Sequence, residues 1–242
     1  MDQTVIEISN LSKNFENNMV FRHFSMHLNR GETLVILGRS GVGKSVLLKC
    51  ITGLVIPDSG NISVLGKDLL GLSENELNSL RSQMGYLFQS GALYDSMTIY
   101  ENLLFPLQRN KFIKYNNEDK IIQEALESVG LLDAKNLMPS ELSGGMKKRA
   151  GLARTLVMQP QIILYDEPTT GLDPFTAQEI SELIVSVREN KGNSSVVVTH
   201  DMKCTETVAD RIIVLDNGNS IAEGTYDDLL KSMDERVLNF FQ

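Results

Sequence analysis

The segment that is most informative about the fold is residues 33–45, Thr33-Leu34-Val35-Ile36-Leu37-Gly38-Arg39-Ser40-Gly41-Val42-Gly43-Lys44-Ser45. Its first five residues form an apolar run of strand length, which is typical of a strand buried on both faces. The rest fits the pattern Gly-x-x-x-x-Gly-Lys-Ser, and residues 45–52 have helical composition. A strand, a glycine-rich loop and a helix in this order predict a P-loop rather than a turn without a ligand.

The chemistry of phosphate binding explains the residue types in this loop. Glycines let the backbone N–H groups approach a β-phosphate closely, and the N-terminus of the following helix favours an anion. We expect the Lys44 ammonium to reach the β- and γ-phosphates of ATP. The Ser45 hydroxyl is expected to bind Mg²⁺, which prefers hard oxygen ligands. Residues 38–45 are therefore predicted as the nucleotide-binding loop.

Two further apolar runs end in residues that suit phosphate chemistry. Residues 162–165 lead into Asp166 and Glu167, and residues 196–199 lead into His200. Asp166 is predicted to hold Mg²⁺, directly or through water, and Glu167 to polarise the attacking water as a general base. His200 is predicted to contact the γ-phosphate and that water. In isolation such acids are often only solvated and such a histidine only structural, but the P-loop favours the catalytic interpretation.

The bulk properties limit the class of protein. The chain has 242 residues and a net charge of -8, which argues against a nucleic-acid partner because phosphate contacts need a basic face. Cys50 and Cys204 do not have the spacing of a zinc site, and we expect both to be reduced and buried. The N-terminal residues do not resemble a signal peptide, and no apolar run reaches the ~20 residues of a membrane helix. We therefore expect a soluble protein that meets a membrane only through a partner.

The order of the elements predicts an α/β fold. Strand-like and helix-like segments alternate, which favours a mostly parallel sheet. From about residue 95 the pattern becomes helical. We predict a single domain over 1–242, with a nucleotide-binding core at 1–94 and 156–242 and a helical subdomain at 95–155. The last strand is expected at residues 211–215, and one helix is expected over residues 226–241.

The ordered motifs resemble those of an ABC-transporter ATPase subunit over essentially the whole chain. They comprise residues 38–45, Gln89, Leu142-Ser143-Gly144-Gly145, Asp166-Glu167, Leu172-Asp173 and His200. The Leu-Ser-Gly-Gly signature is the most specific of them, because other P-loop ATPases lack it. The resemblance implies a P-loop ABC ATPase core with an N-terminal antiparallel β subdomain and an inserted α-helical subdomain. It also implies that two copies stack head to tail around two ATP molecules.

Several site residues follow from this resemblance. Ser143, Gly144 and Gly145 of one copy would contact the γ-phosphate held by Lys44 of the other copy. Gln89 would contact Mg²⁺ and the attacking water. Phe15 would stack on adenine, where the family most often has tyrosine. Asp173, which precedes Pro174, is expected to cap the next helix and also to contribute to the nucleotide site.

A closer resemblance is to the ATPases of Mla-type and related Mce lipid transporters. It rests on residues 88–97, 137–146 and 234–237, and on Met146, where most importers carry glutamine. It implies phospholipid transport, with the chain bound to a permease at the cytoplasmic face of the inner membrane, and a periplasmic Mce-domain partner. The alternatives are an amino-acid or metal importer, and a soluble assembly ATPase of the iron–sulfur scaffold type.

Overall fold

The computed structural model describes residues 3–16, 18–112 and 116–241. Its strands are β1 (Thr4–Phe15), β2 (Asn18–Asn29), β3 (Thr33–Gly38), β4 (Ser59–Val64), β5 (Lys67–Asp68), β6 (Met84–Leu87), β7 (Ile162–Asp166), β8 (Ser194–Thr199), β9 (Arg211–Asp216) and β10 (Asn219–Gly224). Its helices are α1 (Lys44–Ile51), α2 (Glu74–Arg81), α3 (Ile99–Arg109), α4 (Glu118–Ser128), α5 (Gly144–Leu156), α6 (Pro174–Lys191), α7 (Met202–Val208), α8 (Tyr226–Leu230) and α9 (Glu235–Leu238).

The strands form two sheets. The larger sheet has the order β10-β9-β3-β8-β7-β6 and is parallel except for β10. The smaller sheet is antiparallel, with the order β2-β1-β4-β5. Helices α3, α4 and α5 lie between β6 and β7 in the chain. This arrangement confirms the predicted α/β fold with its N-terminal antiparallel sheet.

The core lies on both faces of the parallel sheet. Every residue of β3, β7 and β8 is buried, as the continuous apolar runs predict. Side chains alternate along each strand, so Val35 and Leu37 join one apolar cluster, with residues of the helices α3 to α6, while Leu34 and Ile36 join the other, with residues of α1 and the antiparallel sheet. The parallel strands end at one common edge, where the P-loop follows β3, Asp166 is the last residue of β7, and His200 follows β8.

Two expectations for the C-terminal region are wrong. Residues 211–215 are not the last strand, because Asn217 and Gly218, with φ of 46° and 78°, turn the chain back into β10. The Asn-Gly pair is a strong signal for such a hairpin, since both residues tolerate positive φ.

The second error concerns residues 226–241, which form two short helices instead of one. Asp234 accepts a hydrogen bond from the Arg236 N–H and starts α9. The break lets the Tyr226 and Phe241 rings meet at 5.4 Å, whereas a straight helix would hold these positions roughly 22 Å apart. Within the described residues, no helix combines the length and the apolar character needed to cross a bilayer.

Candidate functional site

The P-loop has the backbone that its glycines predict. Gly41 and Gly43 have φ of 83° and 105°, in the left-handed region that favours glycine. A Cβ atom at Gly43 would lie 2.3 Å from Val20 Cγ1, so a larger residue would also push β2 away from the loop. Gly43 precedes α1, whose first turn is Lys44-Ser45-Val46 and carries no carboxylate. The Val46 N–H donates to the Gly43 carbonyl at 2.9 Å, and the N-terminus of this helix suits an anion.

Lys44 and Glu167 form a buried ion pair, with 3.1 Å between Nζ and Oε1. The Lys44 ammonium also donates to the carbonyl oxygens of Gly38 and Arg39, at 2.6 and 3.0 Å. It thus lies along the loop that the sequence predicts as a phosphate cradle. A buried cation that leaves one partner needs another, so the phosphates of a nucleotide are suitable replacements for Glu167.

The Glu167 carboxylate is also the meeting point of three polar side chains. His200 Nδ1 lies 2.9 Å from Oε2, Thr170 Oγ1 donates to Oε2 at 3.0 Å, and Thr199 Oγ1 donates at 3.4 Å. The backbone of Glu167 has φ of 50°, a strained value for a non-glycine residue. The Glu167 N–H donates to the Val198 carbonyl at 2.9 Å, which holds the chain in this position.

Lys148 fixes Glu167 from another direction. This lysine belongs to α5, the helix that follows the signature, and its buried Nζ donates to the Glu167 carbonyl at 3.2 Å. Burial lowers the pKa of Lys148, against the opposing effect of the nearby Glu167 and Asp166 carboxylates. The contact joins helix α5 directly to the chain at the end of β7.

Asp166 lies beside Ser45 behind the loop. The Ser45 hydroxyl donates to Asp166 Oδ1 at 2.7 Å, and the Tyr86 hydroxyl donates to Oδ2 at 3.0 Å. Ser45 and Asp166 are the hard oxygen ligands that Mg²⁺ prefers, and Mg²⁺ in nucleotide sites commonly takes only one or two protein ligands beside phosphates and water. The described residues contain no group of three or more His, Cys, Asp or Glu side chains that could hold a metal ion. The Ser45 hydroxyl and the Asp166 carboxylate fit Mg²⁺ through the chemistry of their oxygen atoms.

Several of these groups surround a cavity of about 350 Å³, a size typical of ligand sites, whereas Asp166 is outside its lining and reaches it only through Ser45. It is lined by Ser40, Gly41, Gly43, Lys44, Ser45, Val46, Gln89, Glu167, Thr170 and His200. All of these residues except Val46 and Thr170 are predicted site residues. The structure thus brings the loop, the Gln89 segment and the ends of β7 and β8 together around one space.

Other predicted residues lie outside the lining of this cavity. Phe15 is 44% exposed at the end of β1, with Lys13 Nζ 5.1 Å from its ring centroid. Asp173 caps α6 by accepting from the N–H groups of Phe175 and Thr176, both at 3.1 Å. Capping is the role that the sequence predicts for it, and any contact with a nucleotide stays a prediction.

The signature segment also lies outside the cavity. Ser143 caps α5 by accepting from the Met146 N–H at 3.3 Å, and Ser143 and Gly144 are exposed. Gly145 is buried against α6, where an added Cβ atom would lie 2.5 Å from Thr176 Cγ2. Within the single chain, the signature therefore forms a second exposed helix N-terminus rather than part of the P-loop cavity.

Sequence reasoning missed four residues of this network: Tyr86, Lys148, Thr170 and Thr199. Thr170 and Thr199 each lie within three residues of a predicted catalytic residue, so a search of those neighbours would have found them. Tyr86 and Lys148 are 80 and 19 residues away from their partners. No local pattern marks such long-range contacts.

Comparison with known proteins identifies the family of this chain. The family described as "ABC transporter" matches residues 21–170. The intermembrane phospholipid transport system ATP-binding protein MlaF of Haemophilus influenzae is 39% identical over 242 residues, which cover 100% of this chain and 92% of that protein. The methionine import ATP-binding protein MetN of Carboxydothermus hydrogenoformans is 41% identical over 205 residues, covering 85% of this chain and 60% of that protein.

A solved structure has the same fold. It is a dimeric ATP-binding cassette in a post-hydrolysis state, bound to ADP and Pi. It superposes with a TM-score of 0.82 at 31% sequence identity, and the match covers 91% of this chain and 98% of that one.

Proposed function

This chain belongs to the ABC transporter family as an ATP-hydrolysing subunit, and from that premise we propose that it drives phospholipid transport of the Mla type. The observation that carries the proposal is the similarity to MlaF, which extends over the whole chain and nearly the whole relative. We further propose that the chain works at the cytoplasmic face of the inner membrane, bound to a permease. A periplasmic Mce-domain protein would be the third component.

We propose a homodimer as the active form. The signature residues lie outside the P-loop cavity of their own chain, so a second copy in the opposite orientation would supply Ser143, Gly144 and Gly145 to the γ-phosphate. At the start of α5, where Ser143 and Gly144 are exposed, the backbone N–H groups of Gly144 and Gly145 would serve this purpose, while the Met146 N–H is capped by Ser143. Asp173 lies between Leu172 and Thr176, whose side chains lie beside Gly144 and Gly145, and would approach the same nucleotide.

The described contacts suggest how ATP is bound and hydrolysed. The phosphates would replace Glu167 as the partner of Lys44, and the freed Glu167 carboxylate would accept a proton from the attacking water. His200 and Thr170 would keep that carboxylate aimed, and Phe15 would stack on adenine. Ser45, Asp166 and Gln89 would hold Mg²⁺, which neutralises charge on the β- and γ-phosphate oxygens when bound.

We propose that residues 95–155 form a subdomain that transmits this cycle to the permease. Lys148 connects this subdomain to Glu167, so a rotation of its helices would displace Glu167. The groove beside Gln89 would receive a permease helix.

Methionine import is the second candidate, because MetN is 41% identical over 205 residues. The two functions differ in the transported molecule, which a reconstituted complex can distinguish. The chain would be copurified with its permease from solubilised membranes and placed in liposomes with a fluorescent phospholipid. We expect ATP to move the phospholipid to acceptor vesicles, and the Glu167→Gln complex to serve as the inactive control.

Two results would contradict the lipid proposal. One is ATP-dependent accumulation of labelled methionine without lipid transfer. The other is recovery of a fully active ATPase from the soluble fraction alone, without any permease, which would favour an assembly ATPase.

A further inference from the structure

Tyr86 has no role in the mechanism proposed above, although it contacts both Asp166 and a second groove. Its hydroxyl donates to Asp166 Oδ2 at 3.0 Å, while Asp166 Oδ1 accepts from Ser45 at 2.7 Å. Both oxygens of the Asp166 carboxylate therefore accept a hydrogen bond, one from Ser45 and one from Tyr86. The Tyr86 hydroxyl is the donor in this contact, because an ionised carboxylate can only accept a hydrogen bond.

The ring of Tyr86 makes the second contact. It stacks on Phe88, with 4.1 Å between the ring centroids and 24° between the planes. Phe88 immediately precedes Gln89, which lines the nucleotide cavity. Tyr86 and Phe88 also line a separate groove with Gly91, Pro106 and Arg154. One side chain thus extends from this groove to the carboxylate behind the P-loop.

The sheet places Tyr86 at this point. Strand β6 is the edge neighbour of β7, and Tyr86 pairs with Leu164, two residues before Asp166. A phenol ring is long enough to reach from its own strand to the next carboxylate along the sheet edge. Phenylalanine would fill the same space and stack on Phe88, but it has no donor for Asp166.

We propose that Tyr86 is a positioning residue that holds the Asp166 carboxylate in the orientation needed to bind Mg²⁺ together with the nucleotide. This inference rests on the proposed role of Ser45 and Asp166 as the magnesium ligands. A carboxylate held by a hydroxyl on one oxygen loses less freedom when its other oxygen binds a cation. Tyr86 touches neither the nucleotide nor the water, so its effect passes through Asp166.

The test compares two matched variants, Tyr86→Phe and Tyr100→Phe. Each variant removes one hydroxyl that donates to an aspartate. Tyr100, on α3, donates to Asp119, on α4, and neither residue lines the nucleotide cavity. The readout is the Mg²⁺ concentration that half-saturates binding of a fluorescent ATP analogue, together with binding in excess EDTA. We expect Tyr86→Phe to raise the half-saturating concentration about tenfold, as for loss of one hydrogen bond to a charged group, with binding in EDTA unchanged.

The controls separate positioning from a general structural effect. Tyr100→Phe should have the half-saturating Mg²⁺ concentration of the wild type, and thermal melting should show that both variants are folded. An unchanged Mg²⁺ dependence in Tyr86→Phe would overturn the proposal, as would an equal loss of binding in Mg²⁺ and in EDTA. If the wild type itself bound ATP without any Mg²⁺ dependence, the proposed magnesium site would be wrong, whereas failure of lipid transport alone would leave Tyr86 unaffected.

Discussion

The P-loop and the signature segment both lead into a helix whose first turn carries no carboxylate, but their surroundings differ. The P-loop side is connected within the chain, since Lys44 contacts Glu167 and Ser45 contacts Asp166. The Ser143 hydroxyl instead accepts from its own helix, and Ser143 and Gly144 are exposed. The predicted catalytic groups thus lie beside the P-loop, while the start of the signature helix faces solvent in the single chain.

Because of this difference, substitutions in the two segments should impair different properties of the protein. Damage to the P-loop side should remove chemistry that a single chain contributes. Damage to the signature side should leave nucleotide binding by the single chain intact and impair only what requires a second copy.

The largest expected effect is on the P-loop side, with Glu167→Gln. The amide keeps the size of the side chain but cannot accept a proton from water, so ATP hydrolysis should fall about 10³-fold, the usual size of a general-base contribution. Nucleotide binding should persist, because Lys44 would still meet the phosphates. Phosphate release and size-exclusion chromatography with ATP measure both properties.

The expected chromatographic result is a stable ATP-dependent dimer of Glu167→Gln and a monomer without ATP. A variant that hydrolyses ATP at the wild-type rate and stays monomeric would show that Glu167 is not the base. Lys44→Ala is the matched control from the same ion pair, and it should lose nucleotide binding itself.

The next effect concerns the signature side, with Ser143→Ala. Removal of one donor to the γ-phosphate should lower the hydrolysis rate about 10²-fold, while the affinity of the isolated chain for ATP stays unchanged. Equal losses of affinity and rate would mean that Ser143 contributes to its own P-loop cavity, contrary to the structure.

A crosslink locates the partner of the signature directly. Ser40→Cys in one copy and Ser143→Cys in another should form a disulfide between chains when ATP is present. The native cysteines, Cys50 and Cys204, are both buried, and burial raises their pKa values to about 11 and about 12. They should therefore not compete. Bonds formed only within single chains carrying both cysteines would contradict the dimer.

The smallest expected effect concerns the packing of Gly145, in the signature, against Thr176 of α6. Gly145→Ala should cost about 1–3 kcal/mol through overpacking, because the new Cβ would lie 2.5 Å from Thr176 Cγ2. Thr176→Ser removes that methyl group and keeps the hydroxyl, which donates to Asp173 Oδ2 at 2.6 Å. Urea denaturation should therefore show that Thr176→Ser restores much of the stability lost in Gly145→Ala. If Gly145→Ala and the double variant were equally stable, the clash would not be with the Thr176 methyl group.

Much of the site could be predicted because its parts are local patterns. The P-loop follows from glycines and a lysine between a buried strand and a helix, and Asp173 is recognisable as a cap because Pro174 follows it. The turn at Asn217 and Gly218 was equally readable, but the strand after it was missed because its burial is only partial. The break near Asp234 was missed because the residues on both sides have helical composition.

The P-loop pattern of residues 38–45 and the residues at the ends of the buried strands could be predicted without a structure, because these depend on the sterics and hydrogen bonds of near neighbours. Only the tertiary structure decided that Tyr86 reaches Asp166 and that Lys148 reaches Glu167. Those contacts depend on β6 lying beside β7 and on α5 packing over the sheet edge. Strand order and helix placement are set by burial of the whole apolar surface, which no short segment of the chain contains.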